Sequence, residues 1–216
     1  HNNYCKTKKG FFGRVLDVIS GKPSDESPSL KSEKPIIDFA TADSDPTDLE
    51  FVKKFTSSGG KFLYCIDEGE AYQYLHQIME ESGLDQVFCT DANLNSILKK
   101  ANVNISEDDW QSSDAFCTSC EYLVSFNGGI MISENQLHGK KLEDLPETFI
   151  AIGKTSQIVE NLRTALAGIR FRYKNNLPSQ ITTIKGPKKV EGLDEENSQG
   201  KVCNKEIYLL LLEDQL

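Results

Sequence analysis

Three segments of the 216-residue chain carry residue types whose spacing suits chemistry. The first is Cys117-Thr118-Ser119-Cys120. Two thiols separated by two residues can serve as half of a zinc site, as part of an iron–sulfur site, or as a redox pair. Zinc would need a second spaced pair, and His138 and Cys203 stand alone; a cluster would need about four thiols. The simpler reading is that these thiols are buried, as small hydrophobes. The second segment is Phe126-Asn127-Gly128-Gly129. Asn-Gly marks a turn because both residues tolerate positive φ, and glycines flanking a strand let backbone amides approach an anion. The third is Lys185-Gly186-Pro187-Lys188-Lys189, which follows an expected strand at 181–184. At the carboxyl end of a parallel strand, such a loop can hold an anionic ligand. The candidate ligand-binding residues are therefore Asn127, Gly128, Gly129, Gly186, Pro187 and Lys188, with a small carboxylate or other anion as the ligand.

The histidines, His1, His76 and His138, form no cluster in sequence. There is no phosphate-binding P-loop, dinucleotide fingerprint or nucleophile elbow. No catalytic residue, metal site or cofactor is assigned. A net charge of −9 disfavours nucleic-acid and anionic-membrane partners, because phosphate would be repelled. The longest apolar run, 207–212, is the length of a strand and too short for a membrane span. Six scattered cysteines do not read as a disulfide framework, which points to reduced thiols and a cytoplasmic setting.

The elements that must position these segments alternate. Residues 1–35 read as an appendage: a short amphipathic pattern with Phe11, Phe12, Val15, Leu16, Val18 and Ile19, then a polar linker. The body is assigned to 36–216. A helix is expected at 47–57, stopped by Ser58-Gly59-Gly60, then a strand at 61–66. Asp67 and Glu70 resemble a capping box that opens a helix carrying Ala71, Tyr74, Leu75, Ile78 and Met79, and Gly83 ends it. A strand at 86–89 and a helix around Leu94, Ile97, Leu98 and Ala101 follow. Further strands are expected at 115–118, 129–133, 148–152, 181–184 and 207–212. Thr155 or Ser156 is expected to cap a helix carrying Ile158, Val159, Leu162, Leu166 and Ile169. Apolar strands alternating with amphipathic helices predict an α/β fold built on a parallel-rich sheet.

The C-terminal half resembles the lactate-utilization (LUD) domain family. The landmarks, in order, are residues 114–133, Leu145-Pro146 with 148–152, Gly186-Pro187, and Gly200 with 205–212. Phe126–Gly129 occupies the place of the family's Glu-Thr-Gly-Thr. Lys188 stands where its Gly-Pro-Ser has serine. Gly192-Leu193-Asp194 is a loose counterpart of its Asp-Ile-Glu, and Gly200–Asn204 replaces Gly-Val-His-Gly-Pro without the histidine. The resemblance implies a three-layer fold, helices on both faces of a parallel-rich sheet, like the ribose-phosphate isomerase and CoA-transferase group. It also implies a cytoplasmic, accessory or ligand-binding role in oxidising lactate to pyruvate, beside partner proteins that carry iron–sulfur clusters. The departures leave two alternatives open: a non-catalytic interaction protein on the same fold, or an enzyme acting on a small anionic metabolite.

Overall fold

The structure is a computed structural model that describes residues 47–187, 201–202 and 204–214. The N-terminal helix and linker expected at 1–35 lie outside the described residues, as do Lys188 and Lys189.

The last strand explains the layering. In β11 (Glu206–Leu212), Ile207, Leu209 and Leu211 join one buried cluster, while Tyr208, Leu210 and Leu212 join another. A strand apolar at successive positions must be covered on both faces, because neighbouring side chains point opposite ways. β11 lies inside a six-stranded sheet with β1 (Lys61–Cys65), β7 (Thr148–Lys154), β4 (Ala115–Ser119), β2 (Gln86–Phe88) and β3 (Asn104–Ser106). The order is β1-β11-β7-β4-β2-β3, and every pair is parallel. On one face lie α2 (Glu68–Ser82) and α3 (Asn95–Lys100), which contribute Ala71, Leu75, Ile78, Ile97 and Leu98. On the other lies α1 (Thr47–Ser57), with Leu49, Val52 and Phe55 turned inward as their spacing predicts. Helices therefore cover both faces of a parallel sheet.

The caps behave as the sequence indicates. Asp67 accepts from the Glu70 N–H at 2.9 Å, and the Glu70 side chain reaches back to the Ile66 N–H, also at 2.9 Å. Gly83 closes α2 with φ +61°, a conformation that costs glycine nothing.

A second sheet was not legible in the alternation. It comprises β5 (Tyr122–Val124), β6 (Gly129–Ile132), β8 (Ile158–Val159), β9 (Thr182–Lys185) and β10 (Lys201–Val202), in the order β10-β9-β6-β5-β8. It is mixed, since β6 runs antiparallel to both β5 and β9. Its inner face shares the α1 cluster through Leu123, Ile130, Ile132 and Ile184, and its outer face, with Val124 and Met131, packs on α5 (Leu162–Tyr173).

The helix expected from Thr155 or Ser156 begins later. Residues Thr155–Gln157 form a 3-10 turn, and Ile158 and Val159 pair with Leu123 and Val124 as β8. Asn161 caps α5 by accepting from the Thr164 N–H at 3.0 Å. Two β-branched residues opposite an apolar strand gain more from completing a ladder than from extending a helix. The short α4 (Glu134–Leu137) is capped by Ser133, whose N–H donates to Gln136 Oε1 at 2.8 Å.

Candidate functional site

The two glycine-bearing loops converge. Asn127, Gly128 and Gly129 form the turn from β5 into β6, and Gly186 and Pro187 leave β9. Because Ile130 pairs with Ile184 in antiparallel register, Gly129 and Lys185 lie at the same end of the second sheet. Both loops rest on the last turns of α1. The Asn127 side chain accepts from the Gly129 N–H at 3.0 Å, and the Gly186 N–H donates to Ser58 Oγ at 3.3 Å. Lys54 Nζ donates to the Phe126 carbonyl at 2.8 Å and sits 5.3 Å from the centre of its ring.

The glycines are required by close packing. A Cβ on Gly128, which has φ +62°, would fall 2.6 Å from the Lys54 backbone. One on Gly186 would overlap the Ser58 carbonyl oxygen, and one on Gly129 would overlap the Thr183 methyl group. The loops therefore touch protein where the sequence alone suggested an open cradle. The junction also lies elsewhere than expected. Gly186 packs against Ser58 and Gly60, which lead into the amino end of β1, away from the carboxyl ends of the six parallel strands. β9 belongs to the mixed sheet, so the carboxyl-end rule for parallel sheets does not place a ligand there. Lys185 lies beside the junction, partly buried, and burial draws its pKa below the usual lysine value. Five of the six sequence-derived site residues are thus brought together, and Lys188 falls outside the described residues.

The carboxyl edge of the parallel sheet carries acids held by hydroxyl groups. Asp91, after β2, accepts from Ser119 Oγ at 2.6 Å and from the Asn93 N–H at 3.0 Å. Asp214, after β11, accepts from Thr155 Oγ1 at 2.5 Å, from the Ser156 N–H at 2.9 Å and from the Ser156 hydroxyl. These bonds link the ends of neighbouring strands, and the carboxylates make this edge unfavourable for an anion.

Sequence reasoning missed Glu121. Its side chain is 1% exposed and lies between β4 and β5. The carboxylate accepts from Ser133 Oγ (2.8 Å), Asn135 Nδ2 (3.2 Å), Arg172 Nη1 (2.9 Å) and the Tyr173 hydroxyl (2.9 Å). The network ties the β4–β5 junction to the start of α4 and the end of α5. The available signal was one acid inside Cys120-Glu121-Tyr122-Leu123-Val124, since an acid in an apolar run must be paired when buried.

The thiols separate. Cys117 points into the cluster under α2 and α3, and Cys120 into the cluster on the opposite face. They form no Cys-x-x-Cys centre. The partner of Cys117 is Cys89, across the β2–β4 pair. Cys65, Cys89, Cys117 and Cys120 are free and buried. Burial pushes Cys65 and Cys120 up to about 12, with nearby carboxylates adding to the effect, so both are thiols at neutral pH. Among the described residues no three His, Cys, Asp or Glu side chains are placed to hold a metal ion, and no helix is long and apolar enough to cross a membrane. His76 sits 3.2 Å from Glu80 on α2, and His138 ends α4 with φ +47°.

One open groove, of about 850 Å³, runs along α5. Phe126, Leu162, Leu166 and Ala167 line it, and Arg163 and Arg170 flank it.

The family described as LUD domain matches residues 49–212. A solved structure of a DUF162 family protein from Deinococcus radiodurans superposes with a TM-score of 0.54 at 14% identity, over 76% of this chain and 94% of that one. At that identity the likeness is one of fold. No curated protein matches.

Proposed function

Because the chain belongs to the LUD domain family, we propose that it is a lactate-utilization-type protein, an accessory or ligand-binding component of a cytoplasmic system that oxidises lactate to pyruvate. The observation that carries the proposal is the meeting of the Asn127–Gly129 and Gly186–Pro187 loops beside Lys185. A partly buried ammonium is stabilised by an anionic neighbour, and a small carboxylate at the outer rim of this junction would supply one. In this reading Lys185 and Lys188 meet the carboxylate, and Asn127, Gly128, Gly129, Gly186 and Pro187 shape the junction that positions Lys185, since the glycine N–H groups already donate to Ser125, Asn127 and Ser58. Turning lactate into pyruvate releases two electrons and two protons. In this reading the electrons pass to partner proteins with iron–sulfur clusters, as the family resemblance implies. Glu121, just ahead of β5, also places an acid before a strand, which Phe126–Gly129 do not.

The test is genetic and biochemical together. Deleting the gene should abolish growth on lactate, and the tagged protein should recover cysteine-rich partner proteins from cells grown on lactate. Normal growth with no such partner recovered would overturn the reading.

A specific observation favours a second reading, an interaction protein that kept the fold. The glycines at the junction are filled by protein, and residues 200–204 contain no histidine to exchange a proton near neutral pH. On that reading Lys188→Ala and Asn127→Ala leave any measured turnover unchanged, and a large loss would exclude it. An enzyme acting on a small anionic metabolite instead predicts that Lys185→Ala lowers turnover with that substrate.

A further inference from the structure

We infer that the groove along α5 is the seat of this chain's own residues 36–45. The floor is apolar, with Leu162, Leu166 and Ala167, and Phe126 forms one wall with 54% of its surface exposed. Arg163 and Arg170, two helical turns apart, also line it, and neither side chain has a hydrogen bond or ion pair among the described residues. An apolar floor beside two unpaired cations suits a short segment that carries both large apolar residues and acids.

The chain carries such a segment just ahead of α1 in sequence. Residues 36–45 read Ile-Ile-Asp-Phe-Ala-Thr-Ala-Asp-Ser-Asp, with three large apolar residues and three aspartates. They join α1 through Pro46, and the Thr47 carbonyl accepts from Ser125 Oγ at 2.6 Å. Ser125 directly precedes Phe126. The path therefore starts at the wall of the groove. Ten extended residues reach about 33 Å, whereas seven residues of helix between the two arginines cover only about 10 Å.

The other segments fit less well. The amphipathic stretch 10–20 lies beside Lys6, Lys8, Lys9 and Lys22 and carries Arg14, so the arginines would repel it. The acidic stretch 191–199 has one large apolar residue, Leu193, with which to fill an apolar groove.

A photocrosslinking amino acid placed at Phe39 in the full-length protein tests this, with crosslinks mapped by mass spectrometry. The expected product is a crosslink within one chain to the peptide that contains Leu166 and Ala167, or to Phe126. Reversing both arginines (Arg163→Glu with Arg170→Glu) should lower its yield severalfold. Adding Asp38→Lys, Asp43→Lys and Asp45→Lys to that variant should restore it. Both arginines are exposed, so the fold should survive the exchange. A crosslink joining two copies would assign the groove to a second chain and overturn the inference. So would a crosslink elsewhere or none, a yield indifferent to charge reversal, or groove labelling from a probe at Phe12 in place of Phe39.

Discussion

Replacing Glu121 tests whether the buried carboxylate holds the second sheet to α4 and α5. In Glu121→Ala, four donors lose an acceptor. Arg172, whose side chain is 42% exposed, and Asn135, which is exposed, turn to water at little cost. Ser133 is fully buried, and Gln136 Oε1, at 3.1 Å, is the acceptor left for its hydroxyl. The Tyr173 hydroxyl is partly buried and has to find water. Two weakened buried hydrogen bonds to a charge, plus the space left by the side chain, sum to about 2–3 kcal/mol. For a chain of this size that lowers Tm by about 4–12 °C. Glu121→Gln keeps an acceptor and should cost about 1 kcal/mol. The assay is urea unfolding followed by circular dichroism, with the midpoint falling and m unchanged. An alanine variant within about 0.5 kcal/mol of the parent would refute the reasoning, because that is the size of an ordinary surface change.

Four further outcomes follow from the packing and the thiols. Gly186→Ala should destabilise by about 1–3 kcal/mol through overlap with the Ser58 carbonyl. Gly83→Ala meets nothing within 4 Å and should show only the cost of a left-handed residue, about 1–2 kcal/mol, in the same urea assay. Cys65 and Cys120 should resist a thiol reagent at pH 8 in the folded protein and react at once in urea, as read by absorbance. Their pKa values rise on folding from 9.0 to about 12, so the native state holds protons that the unfolded chain releases. Their contribution to stability is complete below pH 9 and is lost as pH climbs from 9 towards 12, and Cys120→Ala should make that decline shallower.

The parallel sheet was legible because its strands are buried on both faces. The run from Ile207 to Leu212 announces a central strand, and Asp67, Glu70 and Gly83 mark the ends of a helix through local hydrogen bonds and backbone geometry. The second sheet was hidden. β8 has two residues and β5 three, too few to show a period, and Ile158 and Val159 fit a helical pattern until Leu123 and Val124 are seen opposite them. The loops at Asn127 and Gly186 were legible as turns. Their meeting on α1 was not, because it depends on the β6–β9 pairing and on a helix 72 residues before one loop and 128 before the other. The Cys117–Cys120 spacing misled for the same reason: three residues along a strand turn the side chain to the opposite face.

The most direct test of the proposed role is calorimetric titration of the purified protein with lactate and with pyruvate, using acetate and phosphate as controls. The account predicts saturable binding of one of the two carboxylates, weakened severalfold by Lys185→Ala and by Asn127→Ala while the urea midpoint stays near that of the parent. No heat of binding for either up to tens of millimolar (about −2 kcal/mol of affinity or weaker), or binding that both variants leave intact, would contradict it.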